Sequence, residues 1–177
     1  MWFKVLAACL PAAVVGLLFD DVLNRLFYNP LTVSIALIVF GVAFIVVENW
    51  NKGRTSKINS ISELTYKTAL IIGAFQLIAA VFPGTSRSGA TIVGALLIGV
   101  SRTVAAEFTF YLAIPVMFGA SLLKIVKFGF DFTGTEIAVL LTGMITAFIV
   151  SVVVIKFLMD YIKKHDFKVF GWYRIVL

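Results

Sequence analysis

The reactive side chains of this 177-residue chain are concentrated in Pro83-Gly84-Thr85-Ser86-Arg87-Ser88-Gly89-Ala90-Thr91. Hydroxyls at Thr85, Ser86, Ser88 and Thr91 surround one guanidinium, and Gly84 and Gly89 free the backbone. A Ser/Gly-rich segment leading into a helix N-terminus, expected at about Ala90, offers free N–H groups and the positive end of the helix dipole. Arg87 adds a planar fork that meets phosphate oxygens in pairs. Together these parts describe an oxyanion site, most naturally for phosphate or pyrophosphate. The competing reading is a helix break in which Arg87 pairs with a buried glutamate. Gly84 and Gly89 also have the spacing of a nucleotide-binding P-loop, but Ala90 stands where that loop requires lysine, and no strand precedes it.

The elements that must position this segment are set by composition. The chain is 61% apolar and 14% charged, with a mean hydropathy of +1.05. A soluble domain is about 45–50% apolar and about 25% charged. One Cys, 4 Pro and 13 Gly exclude a disulfide scaffold and collagen. Continuous apolar runs, rather than alternating ones, point to helices and not a barrel. The fold class read from this is all-α, a polytopic membrane helix bundle. The net charge of +6 then reflects loops facing anionic lipid rather than nucleic acid, since no basic face comes with a soluble fold. Leu6-Ala7-Ala8-Cys9 resembles a lipoprotein cleavage box. Only Val5 separates it from Lys4, so a span fits better.

The predicted spans are Trp2–Phe19, Leu31–Glu48, Thr103–Val126 and Glu136–Leu158, with Val169–Leu177 starting a further one. That last segment, about 13 Å long as a helix, is too short to cross, and the sequence reads as cut there. Lys67–Val100 is one apolar stretch broken at Pro83–Gly89. Its return arm, Ala90–Val100, is too short to span, so a re-entrant helix–loop–helix is expected. The loop would lie about 20 Å from the entry face, where irregular backbone is tolerated only inside protein or against a wet cavity. With the pair re-entrant, 11 of the 15 Lys/Arg, from Lys4 through Lys52, Arg102 and Lys164 to Arg174, share one side. Arg25, Lys124 and Lys127 take the other, and Arg87 sits at the loop. The rule that positive loops stay inside makes the first side cytoplasmic, with Trp2, Trp50 and Trp172 near it.

Other polar residues read as structural. Glu107 is expected to pair with Arg102 at a helix end, and Glu48 to be solvated. Ser60 or Ser62 is placed to cap the helix after the polar stretch Asn49–Tyr66. Gln76 could bond the loop or a neighbouring helix. Ala90 and Gly94 suit close helix packing, and Cys9 a packing role. His165 lies in a basic loop far from Arg87, and Asp131 in the short loop Lys127–Thr135.

The nine-residue segment matches the PGxSRSxxT motif of the undecaprenyl-diphosphate phosphatases, or bacitracin-resistance proteins. Phe75-Gln76 before it, and Ser101-Arg102, Ala105-Ala106-Glu107-Phe108 and Ala113-Ile114-Pro115 after it, also resemble that family. The resemblance runs over nearly the whole chain. It implies a multi-pass enzyme of the bacterial plasma membrane that hydrolyses undecaprenyl diphosphate to the monophosphate, recycling the carrier lipid of cell-wall synthesis. It further implies two inverted repeats with re-entrant helix pairs, an active site open to the periplasm, and a divalent cation, Mg²⁺ or Ca²⁺. The family's first repeat, with its glutamate-rich motif and Ser/His loop, has no counterpart here. The chain therefore reads as the second repeat, cut at both ends, with no metal ligand identifiable in it.

On this reading Ser86 and Arg87 are catalytic, with Ser86 either nucleophile or phosphate ligand. Gly84, Thr85, Ser88 and Thr91 bind the substrate. The partners are an isoprenoid lipid diphosphate and the bilayer, with homo-oligomerisation left open. A lipid or anion transporter, and an inactive fragment, are the rival readings, because re-entrant loops also serve transport. Without a visible general acid or base, this chain alone is expected to turn over about 10²-fold or more below a two-repeat relative.

Overall fold

The computed structural model describes residues 1–129 and 132–177, and gives the backbone alone for Leu17, Asp20, Asp21 and Asn24. Asp131 lies outside the described residues. All regular elements among the described residues are helical: α1 (Trp2–Phe27), α2 (Pro30–Asn51), α3 (Tyr66–Val81), α4 (Arg87–Leu97), α5 (Arg102–Phe128), α6 (Gly134–Lys164) and α7 (Lys168–Val176), with one 3₁₀ turn at Ile61–Glu63. Of these, α2, α5 and α6 are long and apolar enough to cross a membrane. The chain is an all-α membrane helix bundle.

Local signals start and stop these helices. Asn29 caps α2 by accepting the Thr32 amide, with Pro30 in the first turn. Thr133 and Glu136 form a reciprocal capping box at α6. The α3 cap is Thr65, through the Thr68 amide. The expected Ser60 instead caps the 3₁₀ turn, because Leu64, fully buried, ends that turn before α3 begins.

The core has two parts. In one, Val5, Ala8 and Cys9 of α1 pack with Ala69 and Ile72 of α3 and with Ala105, Phe108 and Leu112 of α5. The Cys9 thiol faces the Leu112 carbonyl, a packing role as expected. In the other, Phe44 and Val47 of α2 meet Val93 and Leu96 of α4, with Ile162 and Phe167 closing it. The close approaches run through small residues. A Cβ at Gly94 would collide with the Phe75 ring, which is why Ala90 and Gly94 face α3. Gly41 and Gly171 likewise bring α2 and α7 into backbone contact. The middle of α6, by contrast, is exposed on every side.

One end of the assembly is closed by an ion pair. Glu48, 1% exposed, accepts Arg102 Nε at 3.0 Å on both oxygens and the Phe167 amide at 3.0 Å. The expectations of a solvated Glu48 and an Arg102–Glu107 pair both fail here. The last turn of α2 is covered by α7 and the start of α5, and a buried carboxylate takes the nearest cation.

Candidate active site: the α3–α4 turn and its groove

Residues 66–97 fold as a hairpin, with α3 and α4 packed on each other and Phe82–Ser86 turning between them. The turn depends on Gly84. Its φ is +92°, and a Cβ there would stand 2.7 Å from the Val33 carbonyl oxygen. Gly84 is thus required by the backbone and its close approach to α2. Val33 lies fifteen residues from Glu48, about 22 Å along α2. The turn and the buried ion pair therefore occupy opposite ends of the assembly.

Helix α4 starts at Arg87, one turn earlier than expected, because Ser86 is the cap. Its hydroxyl accepts the Gly89 amide at 3.3 Å and lies 3.2 Å from Ser88 Oγ. Ser86 has φ +61°, the single positive φ outside glycine among the described residues. Such backbone strain costs about 1–3 kcal/mol and is concentrated at functional sites. With Gly89 capped, the amides of Arg87 and Ser88 are first-turn donors with no intrahelical partner.

Arg87 and Ser88 are exposed, and Arg87 forms no ion pair among the described residues. The buried glutamate that a purely structural Arg87 would need is already taken by Arg102. Thr85 and Thr91, both expected on the ligand, are fully buried. Thr91 Oγ1 donates back to the Ser88 and Arg87 carbonyls and meets Thr109 Oγ1 at 2.9 Å, joining α4 to α5. Thr85 Oγ1 has no partner. The site residues thus divide into Ser86, Arg87 and Ser88 at the surface of the turn, and Gly84, Thr85 and Thr91 beneath it.

A second arginine reaches the turn. Arg174 of α7 donates from Nη1 to the Thr85 carbonyl at 2.9 Å and lies over the Phe44 ring, 5.6 Å from its centroid. Gly89 makes room for it, since a Cβ there would meet Arg174 Nη2 at 3.2 Å. By sequence Arg174 belongs with the basic loops at the opposite end. Helix α7 folds back along α2 and carries it to the turn, a placement without a local sequence signal.

From Arg87 and Ser88 a groove of about 840 Å³ runs along α5 to α6. Gln76, Glu107, Thr91 and Thr109 are its other polar lining residues. Phe110, Ile114, Met117, Ile155 and Met159 form its apolar wall. Glu107, expected at a helix-end pair, faces this groove instead. Gln76 is buried, with Nε2 unpartnered. No three His, Cys, Asp or Glu side chains come together among the described residues. Glu107 is the one carboxylate on the groove wall among the described residues. His165 stacks on Tyr161 at 4.3 Å, at the far end of α6.

The geometry defines a class: a polytopic helical membrane protein presenting a cationic, helix-capped turn beside an apolar groove. The chain belongs to the family described as bacitracin resistance protein BacA, which it matches over residues 1–177. It is 70% identical over its whole length to an undecaprenyl-diphosphatase of Desulfitobacterium hafniense, covering 64% of that protein. It is 70% identical to undecaprenyl-diphosphatase 1 of Clostridium acetobutylicum, covering 65%, and 62% identical to an Enterococcus faecalis undecaprenyl-diphosphatase, covering 64%. The chain therefore spans a little under two thirds of the length of these relatives.

Proposed function

We propose that this chain contributes to hydrolysis of a polyprenyl diphosphate, undecaprenyl diphosphate in its relatives, to the monophosphate and inorganic phosphate. The observation that carries this is the position of Arg87. It opens α4 without an acidic partner among the described residues, beside two unpartnered helix amides, on the lining of a groove with an apolar wall. The guanidinium and the amides hold the diphosphate oxygens. Phosphoryl transfer depends mainly on such positioning and charge neutralisation. The apolar wall, from Phe110 to Met159, takes the isoprenoid units nearest the diphosphate.

Water is the nucleophile in this reading. Ser86 has Ser88 Oγ and the Gly89 amide as side-chain partners, and neither can remove its proton. Glu107, on the same groove wall, accepts the proton of the attacking water. Water oxygen bonds to the terminal phosphorus as the bond to the bridging oxygen breaks, leaving lipid monophosphate and phosphate. Arg174 holds the turn through the Thr85 carbonyl. The protein resides in the bacterial plasma membrane, with the turn toward the outer face and the basic segments around Lys52–Lys57 and Lys163–Lys168 inside.

The test is release of ³²P-phosphate from undecaprenyl [³²P]diphosphate by the purified chain in detergent, beside Arg87→Ala. Release that depends on Arg87 supports the reading. Equal release by both proteins overturns it, as does Arg87-dependent movement of the lipid across vesicles without hydrolysis.

A further inference from the structure

At the end opposite the Arg87 turn, a second cavity of about 410 Å³ lies between residues 51–57, the α4–α5 turn and the last turn of α6. Its character is the reverse of the groove's. Arg54, Lys57, Arg102 and Lys163 line it together with the hydroxyls of Thr55, Ser56 and Thr103, and no acidic residue is on its wall. Two of these cations are answered nearby: Arg102 by buried Glu48, and Lys163 by Asp160 at 3.3 Å, an exposed and solvent-screened pair. Arg54 and Lys57 have no carboxylate partner among the described residues.

The walls are fixed before any ligand arrives. The Lys57 and Ile58 amides donate to the Gly99 carbonyl at 2.8 and 3.3 Å, and the Ser101 amide donates to Ile58 at 2.9 Å. Asn51 Nδ2 donates to the Leu96 carbonyl at 3.2 Å. Gly99, at φ +86°, brings the turn under the aliphatic stem of Lys57. Ser101 caps α5 through the Val104 amide, so the Arg102 and Thr103 amides are first-turn donors without intrahelical partners. The rim is apolar on one side. Leu97 is exposed, and exposed Trp50 carries Arg54 over its ring at 4.6 Å. An indole at that position suits the headgroup level of a bilayer.

We propose that this cavity binds the phosphate headgroup of an anionic phospholipid from the leaflet beside it. Arg54 and Lys57 supply the charge, the α5 amides and the hydroxyls donate hydrogen bonds to the phosphate oxygens, and the lipid tails leave past Leu97 and Trp50. The volume lies in the range of small-ligand sites, about 300–1,000 Å³. The site is separate from the diphosphate groove and does not depend on that reading of it.

The experiment is retention of phosphatidylglycerol against phosphatidylcholine by the purified full chain, read by native mass spectrometry from mixed micelles. The unsubstituted chain retains phosphatidylglycerol about fivefold or more over phosphatidylcholine. The Arg54→Gln/Lys57→Gln pair brings that ratio close to one, each cation near a lipid phosphate contributing severalfold. Arg87→Gln leaves the preference unchanged. Equal retention of the two lipids by the unsubstituted chain overturns the proposal whether or not the double variant folds. So does displacement of phosphatidylglycerol by equimolar inorganic phosphate, which would make the ligand a soluble anion. Loss of the preference in Arg87→Gln, with the double variant unaffected, would move the lipid phosphate to the other end.

Discussion

The two ends of the assembly use arginine in opposite ways. At one, Arg102 closes on Glu48, a carboxylate 1% exposed that also caps the start of α7 through the Phe167 amide. At the other, Arg87 and Arg174 approach the same short turn with no acid partner among the described residues. Arg174 is held by a carbonyl and an aromatic face. A neutralised cation secures helices, whereas a cation left with carbonyls and amides keeps its field for an anion. The difference lies in which side chain the fold delivers to each arginine, since the residue types are the same.

The largest expected effect is at the open end. Arg87→Ala lowers phosphate release by about 10³-fold or more, in the range of an arginine that neutralises a transferring phosphoryl group. Its detergent melting curve stays in place. Arg87→Lys also loses most of the activity, because the fork is gone while the charge remains. A fall in stability that matches the fall in rate would make Arg87 a structural residue like Arg102.

At the closed end the order reverses. Arg102→Leu strands the buried Glu48 charge and destabilises by about 3–5 kcal/mol. Glu48→Leu removes that charge itself and costs less, about 1–3 kcal/mol, from the donors left unpaired. Unfolding in mixed SDS micelles measures both. Equal costs would mean that lost packing, rather than a stranded charge, sets the loss.

Glu107→Gln comes next, with a fall in turnover of about 10²-fold and little change in substrate retention, as for loss of a general base. Unchanged turnover would assign the groove a binding role alone. Arg174→Met removes a charge-assisted bond to Thr85, of the kind worth about 1.5–3 kcal/mol. Turnover drops about tenfold and hydrogen exchange at the Ser86–Gly89 amides rises. Protection unchanged at those amides would show that the turn holds without α7.

The smallest effect concerns Ser86. Ser86→Gly relieves the positive φ and loses only a few tenths of a kcal/mol in capping, so stability does not fall. Ser86→Ala loses about 1 kcal/mol of cap and keeps the strain. If Ser86→Gly proves the less stable of the two, the positive φ at this position stores no strain.

Much of this protein was legible in the sequence. Composition and continuous apolar runs established the all-α membrane class, because a surplus of apolar side chains can be covered only by lipid. Pro83 and Gly84 marked the break between α3 and α4, since proline and a glycine at positive φ cannot continue a helix. Ala90 and Gly94 announced a close helix contact. The motif of residues 83–91 identified the family.

Partners distant in the chain were not legible. Glu48 looked solvated because it ends an apolar run. It is buried because α7, more than a hundred residues later, lies across it. Glu107 sits five residues from Arg102, a spacing that suggests a helix-end pair, yet α5 turns the two toward different neighbours. Arg174 belonged by sequence to a basic tail, and only the fold-back of α7 along α2 through Gly41 and Gly171 carries it to the turn. Local propensity and hydropathy act over a few residues and so can be read from a string. The destination of a charge is decided by which helices pack against which, through contacts that no local pattern encodes.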